Sequence, residues 1–167
     1  MSHFYLTNGT ASLANLQLQQ TGIPLVQSNR YVLQFDAWST GRRYIQAEVA
    51  QQVAPNLNYS GTTSSLLTPV HNHYRYVFTM GAPTDLNASV LFNLGGSSSA
   101  VYLDNVSLMH PPVGDLNLDG RVDLLDLQSL TGSWLKQQSG LNADLDGNGQ
   151  VDFNDFGILG DNWTPGP

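Results

Sequence analysis

Between Leu13 and Val106, apolar and polar residues alternate in short runs. This is the period of two expected of half-buried strands, whose successive side chains point to opposite faces. Leu16 and Leu18 alternate with Gln17 and Gln19; Tyr31, Leu33 and Phe35 with Val32, Gln34 and Asp36; Ile45, Ala47 and Val49 with Tyr44, Gln46 and Glu48. Further runs carry Tyr74, Tyr76 and Phe78, then Val90, Phe92 and Leu94, then Tyr102, Asp104 and Val106. Turn clusters at Gly22-Ile23-Pro24, Ser39-Thr40-Gly41, Asn58-Tyr59-Ser60-Gly61, Gly81-Ala82-Pro83 and Gly95 to Ser99 separate them. No helical period of useful length intervenes. The predicted fold class is mainly β, an antiparallel, jelly-roll-like β-sandwich over residues 1–110.

The pattern changes after Met109-His110-Pro111-Pro112-Val113-Gly114. Two successive prolines cannot continue a ladder, so residues 111–114 read as a spacer and 115–167 as a second domain. That domain repeats itself at an offset of 29 residues, pairing Asp115 with Asp144, Gly120 with Gly149, Val122 with Val151, Asp126 with Asp155 and Trp134 with Trp163. Each copy is an acidic loop followed by a short apolar helix, predicted over 124–135 and 154–161. Leu127, Leu130 and Trp134, and likewise Phe156, Leu159 and Trp163, form the stripe by which the helices pack. Val122 and Val151 are expected to pair the two loops as a short ladder.

Charge locates the chemistry. Thirteen acidic residues stand against six basic ones, and the net −7 lies entirely in residues 111–167. Nucleic acid is a poor partner for such a surface. No cysteine is present, so disulfides and thiolate metal sites are excluded, and no apolar run is long enough for a membrane span. In the first repeat Asp115, Asn117, Asp119, Asp123 and Asp126 occupy loop positions 1, 3, 5, 9 and 12; in the second, Asp144, Asp146, Asn148, Asp152 and Asp155 do. Arg121 and Gln150 at position 7 would add backbone carbonyls, and Gly120 and Gly149 at position 6 allow a sharp turn. Two carboxylates about 4 Å apart repel by roughly 4 kcal/mol at an effective dielectric near 20. Gathering so many needs a cation, and numerous oxygen donors on flexible loops favour Ca2+, one ion per loop.

On these motifs residues 114–163 resemble a type I dockerin, a duplicated calcium module that attaches polysaccharide-degrading enzymes to the cohesin domains of a scaffold protein. The resemblance implies two Ca2+ ions, a cohesin partner, and a secreted protein of the cellulosome kind. Leu124-Leu125 and Phe153-Asn154 at loop positions 10 and 11 stand where the family contacts cohesin; by sequence they are either a contact patch or core.

For the sandwich, catalysis and binding compete. Hydrolysis of a glycosidic bond needs two carboxylates flanking it. Asp36 and Glu48 could lie on neighbouring strands, which leaves a small glycan-hydrolysing enzyme as the alternative reading. There is no G-x-S-x-G, P-loop or Cys nucleophile. His71 and His73 share a strand face and are either a metal pair or ordinary edge residues. Binding fits the composition better, because sugar hydroxyls need neutral donors and acceptors and their C–H faces need aromatic plates. Gln17, Gln19, Gln34, Tyr44, Gln46 and Asn93 are the candidate polar lining, and Trp38 and Tyr59 the candidate stacking platforms. Leu16 to Leu25, Tyr31 to Ala37, Ile45 to Val49 and Val101 to Leu108 together resemble a carbohydrate-binding module of the family 4/9 type, without the family's usual first strand. That resemblance implies a cleft for a β-glucan, xylan or mannan class polysaccharide lined by Gln17, Gln19, Gln46, Tyr59 and Asn93. The favoured reading is a non-catalytic binding and docking fragment of a secreted glycoside hydrolase.

Overall fold

In the computed structural model, residues 2–4, 12–138 and 140–164 are described, the first three as backbone alone. The chain divides into two compact units, Met1–His110 and Pro111–Pro167. The first contains β1 (Ser2–Phe4), β2 (Gln17–Leu25), β3 (Arg30–Ser39), β4 (Arg43–Gln51), β5 (Thr63–Leu67), β6 (Asn72–Thr79), β7 (Asp85–Asn93) and β8 (Val101–Met109). They form two four-stranded sheets, ordered β1-β8-β3-β6 and β2-β7-β4-β5. All pairings are antiparallel.

Alternation sets which face is buried. Leu33, Phe35 and Ala37 of β3 meet Ile45, Ala47 and Val49 of β4 and Val90 and Phe92 of β7 in one core, with Phe35 set edge-on against Phe92 at 5.0 Å. The intervening residues of each strand point away from that core. Arg43 is 4% exposed; its guanidinium donates to the carbonyls of Ser99 (2.6 Å), Gly95 (2.8 Å), Ser97 (3.3 Å) and Leu94, tying the glycine-serine loop to the start of β4. Burial pulls its pKa below the ordinary arginine value.

Three features depart from the sequence pattern. Gly22-Ile23-Pro24 is no turn: β2 runs through it with register shifts on either side of Ile23 and Gly22 at φ 77°, so the punctuation marks a bulge in an edge strand, where proline's missing N–H costs no ladder bond. β5 carries no apolar alternation because Ser65, 4% exposed, takes a core-facing place and bonds the Tyr76 hydroxyl. β1 pairs Ser2–Phe4 with Val101–Leu103 of β8, a strand too short to leave a period.

In the second unit the helices are α1 (Leu124–Thr131) and α2 (Phe153–Asp161). α1 ends four residues short of the expected Leu135, at a Gly132 C-cap. Asp123 and Asp152 cap the helices in reciprocal boxes with Asp126 and Asp155. Val122, Leu130, Ala143, Val151 and Leu159 make the core, with Trp134 packed against it; Phe156 and Trp163, expected in the packing stripe, are 45% and 39% exposed.

Val122 and Val151 do not pair with one another. Each pairs instead with the segment leaving the opposite helix: Leu135 N donates to Val151 O (2.8 Å), and Thr164 N donates to Val122 O (2.8 Å). Leu135 and Thr164 are separated by the same repeat offset, so the exchange is reciprocal. The two valines are fully buried and seal the core from within that exchange. Residues 111–114 belong to this unit: at Gly114 (φ 93°) a Cβ would stand 3.3 Å from Val122 Cγ1 and 3.4 Å from Leu159 Cα.

Candidate functional site

The outward face of the β2-β7-β4-β5 sheet is built in tiers by strand register. Gln17 pairs with Asn93, Asn93 with Gln46, and Gln46 with Ser64, so one row of amides crosses the whole sheet. The next tier is Gln19, Leu91 and Glu48; Tyr44 opposite Leu66 continues the face beyond Gln46. Gln17 Nε2 donates to Asn93 Oδ1 (2.8 Å), and Asn93 Nδ2 donates to Glu48 Oε1 (3.3 Å). Asn58 Nδ2 and Thr62 Oγ1 donate to Glu48 Oε2 at 2.7 and 3.0 Å. The result is a fixed polar network around one carboxylate. Beside it lies a cavity of about 340 Å3 whose lining includes Gln17, Gln19, Glu48, Gln51, Asn58 and Leu91.

Four of the sequence-derived lining residues, Gln17, Gln19, Gln46 and Asn93, therefore share one face, with Tyr44 beside them at 56% exposure. Gln34, Trp38 and Tyr59 do not join them. Gln34 lies on β3 between Arg75 and Ser107, on the other sheet. Trp38 is on the same strand and stacks on Tyr102 (5.1 Å, 4° between planes) and against His71 (4.6 Å), so its ring faces are occupied. Tyr59 packs against the core, and its hydroxyl donates to Asp85 Oδ2 (2.7 Å). Burial, reinforced by that bond and the carboxylate charge, pushes its phenol up to about 12. Gln34 is picked out by the alternation of its strand, and Trp38 and Tyr59 by their place near strand ends and in loops, criteria blind to which sheet a strand joins.

Sequence reasoning missed Gln51 and Asn58. Asn58 returns to β4 through a bridge to Ala50, outside any alternating run. Gln51 Oε1 is buried without a hydrogen-bond partner at the cavity wall.

The hydrolase alternative fails on the same topology. Asp36 and Glu48 lie on different sheets, each alternating with core-facing neighbours, and so point to opposite outer faces of the sandwich. They cannot flank one bond.

The acidic loops are held open by their own backbones. Asp115 accepts from Asp119 N (3.1 Å) and Gly120 N (2.9 Å); Asp126 accepts from Leu116 N (2.8 Å), Asn117 N (3.0 Å) and Asp123 N (2.9 Å). Asp155 repeats the latter pattern with Leu145 N, Asp146 N and Asp152 N at 2.6, 3.2 and 2.8 Å, and Asp144 accepts from Gly149 N at 2.8 Å. Asn117 and Asn148 accept from the N–H groups of Asp119 and Gln150. In the second loop one oxygen each of Asp144, Asp146 and Asp155 lies within 4.8 Å of the others. Asp144 Oδ1 is buried with no hydrogen-bond partner, an orphan acceptor aimed where a cation belongs. Burial pushes the Asp115 carboxyl above its ordinary value. Burial acts in the same direction on Asp155, yet the backbone N–H groups around it outweigh it and hold that carboxyl below the ordinary value. The donor set, carboxylate and amide oxygen throughout, fits Ca2+.

Of the position 10 and 11 residues, Leu124, Leu125 and Phe153 are 70%, 55% and 78% exposed and Asn154 is also exposed, so none of them is core. Phe153 meets Trp134 edge-on at 5.0 Å beside an apolar groove of about 420 Å3 lined also by Leu127, Thr131 and Phe156.

Residues 113–161 match the family described as dockerin type I domain. The sandwich is similar to a solved structure described as CBM4, with 22% identity and a TM-score of 0.59 over 64% of this chain and 68% of that one. It is also similar to the N-terminal cellulose-binding domain of β-1,4-glucanase C from Cellulomonas fimi (23% identity, TM-score 0.55, 65% and 76% covered). The second such domain of that enzyme is 22% identical, with a TM-score of 0.54 over 65% and 74%. No curated protein matches the chain. A domain with the fold of solved carbohydrate-binding modules thus precedes a segment that matches the dockerin type I model. Among the described residues no helix is long and apolar enough to cross a membrane.

Proposed function

We propose that this chain is the binding and docking part of a secreted polysaccharide-degrading system: the sandwich holds a single β-glucan, xylan or mannan class chain, and the dockerin domain takes two Ca2+ ions and a cohesin domain of a scaffold protein. The observation that carries the first half is the row Gln17, Asn93, Gln46 and Ser64 running across the strands: Asn93, buried, fixes Gln17, and the more exposed Gln17, Gln46 and Ser64 set neutral amides and a hydroxyl at strand spacing to match successive sugar hydroxyls. Tyr44 adds an exposed ring beside the row. About 100 Å2 of ring contact contributes roughly 2.5 kcal/mol, which with the amides gives micromolar to millimolar affinity. The solved relatives described as cellulose-binding support the β-1,4-glucan choice.

For the second half, Asp115, Asn117, Asp119, Asp123 and Asp126 would hold one ion, and Asp144, Asp146, Asn148, Asp152 and Asp155 the other, with the Arg121 and Gln150 carbonyls. The bound ions neutralise carboxylates that otherwise repel, and so stiffen the loops that start both helices. Leu124, Leu125, Phe153 and Asn154, exposed on the first turns of those helices, would face the cohesin. Affinity electrophoresis through soluble β-glucan, xylan and mannan tests the reading: retardation in at least one gel is expected, and free migration in all three rejects the sugar-binding half. A cohesin gel shift abolished by EDTA and restored by calcium is expected for the other half; no shift in excess calcium rejects it.

A further inference from the structure

The outer face of the β1-β8-β3-β6 sheet carries a polar cluster that neither the glycan row nor the acidic loops use. His71 stands immediately before β6 and His73 two residues on, within it, where it is the cross-strand partner of Asp36 on β3. His73 Nδ1 is 2.8 Å from Asp36 Oδ1, and His71 Nε2 is 4.0 Å from Asp36 Oδ2. The Asp36 side chain is 11% exposed while the imidazoles are 56% and 52% exposed, so a fixed carboxylate lies beneath two accessible rings. Asn105 Nδ2 donates to Asp36 Oδ2 at 2.6 Å and sets the carboxylate's orientation. On the other side His71 leans on Trp38, which is itself braced by Tyr102.

We propose that His71, His73 and Asp36 form a binding site for a first-row divalent transition metal, best suited to Zn2+. Imidazole nitrogen and carboxylate oxygen bind zinc at about 2.0 to 2.2 Å in tetrahedral geometry, so two donors on one ion stand roughly 3.4 Å apart. His73 Nδ1 lies within that separation of Asp36 Oδ1, and His71 Nε2 lies somewhat beyond it from Asp36 Oδ2. The two imidazole nitrogens face different oxygens of the carboxylate, so both half-exposed rings would have to turn to place them on one ion, with water completing the shell. The two-nitrogen, one-oxygen set disfavours Ca2+ and Mg2+, which take oxygen donors, and so separates this site chemically from the acidic loops. The Asn105 amide acts as the outer-shell partner that orients a ligating carboxylate. A bound ion would clamp the start of β6, an edge strand, to β3.

The test is Zn2+ titration of the whole chain by calorimetry in excess Ca2+, which keeps the acidic loops filled, with thermal unfolding read alongside. Expected are one equivalent of Zn2+, a raised melting temperature, and at least tenfold weaker binding in both His71→Ala and His73→Ala. Cu2+ as a spectroscopic probe should show two coordinated nitrogens in the parent chain and one in His71→Ala, a readout that a mere loss of stability would not give. Absence of saturable Zn2+ binding in excess Ca2+, or binding unchanged in the His71→Ala/His73→Ala double variant, would overturn the proposal.

Discussion

At the residue scale, Tyr59 packs against the core and its hydroxyl holds Asp85. Its folded phenol pKa is raised from 10.0 to about 12, so the stabilisation that accompanies the shift is complete below pH 10 and is lost as pH rises toward 12. Tyr59→Phe should lower stability by about 1 kcal/mol at neutral pH. It should also flatten the alkaline decline in the urea midpoint; an unaltered decline would contradict this role. Trp38 makes the complementary case. With its faces covered by Tyr102 and His71, Trp38→Ala should leave glycan affinity unchanged, whereas Tyr44→Ala should weaken it about tenfold or more, as calorimetry would read.

At the element scale, short-range patterns were legible wherever a single rule governed the residues. Alternation located β3, β4 and β7 because each has a core face and an outer face. It missed β5, where Ser65 satisfies its buried hydroxyl on Tyr76 and so needs no apolar side chain. The repeat was legible at every ligand position, but the partner of each loop was not. Two copies related by symmetry can pair with themselves or exchange partners, and only the tertiary arrangement selects the exchange through Leu135 and Thr164. Calcium should therefore act on both helices together, since each loop caps its own helix and is tied to the exit of the other. EDTA should lower the far-ultraviolet helical signal and added Ca2+ restore it. Asp144→Ala, which removes the orphan acceptor and the Gly149 contact, should weaken calcium binding at the second loop by more than tenfold while sparing the first. Indifference of the spectrum to chelation would contradict the calcium account.

At the scale of the whole molecule, the acidity and the neutrality of the chain belong to different units. The net −7 is confined to residues 111–167, where the acidic loops gather their carboxylates, and the sandwich offers uncharged amides instead. Composition could reveal that division, but not which sheet the amides occupy: Gln17 and Gln34 look alike in the sequence and lie on different sheets, because strand order is fixed by long-range pairing. The same pairing removes the hydrolase alternative by sending Asp36 and Glu48 to opposite faces. In the proposed function a glycan chain lies along the row of Gln17, Asn93, Gln46 and Ser64. Titration of the 15N-labelled chain with β-1,4-linked glucan, xylan and mannan oligosaccharides, followed by amide chemical shifts, tests it most directly. Saturable shifts are expected with at least one of them, centred on Gln17, Gln46 and Asn93 and absent around Trp38 and Gln34. Shifts centred on Trp38 and Gln34, or none with any of the three sugars, would contradict it.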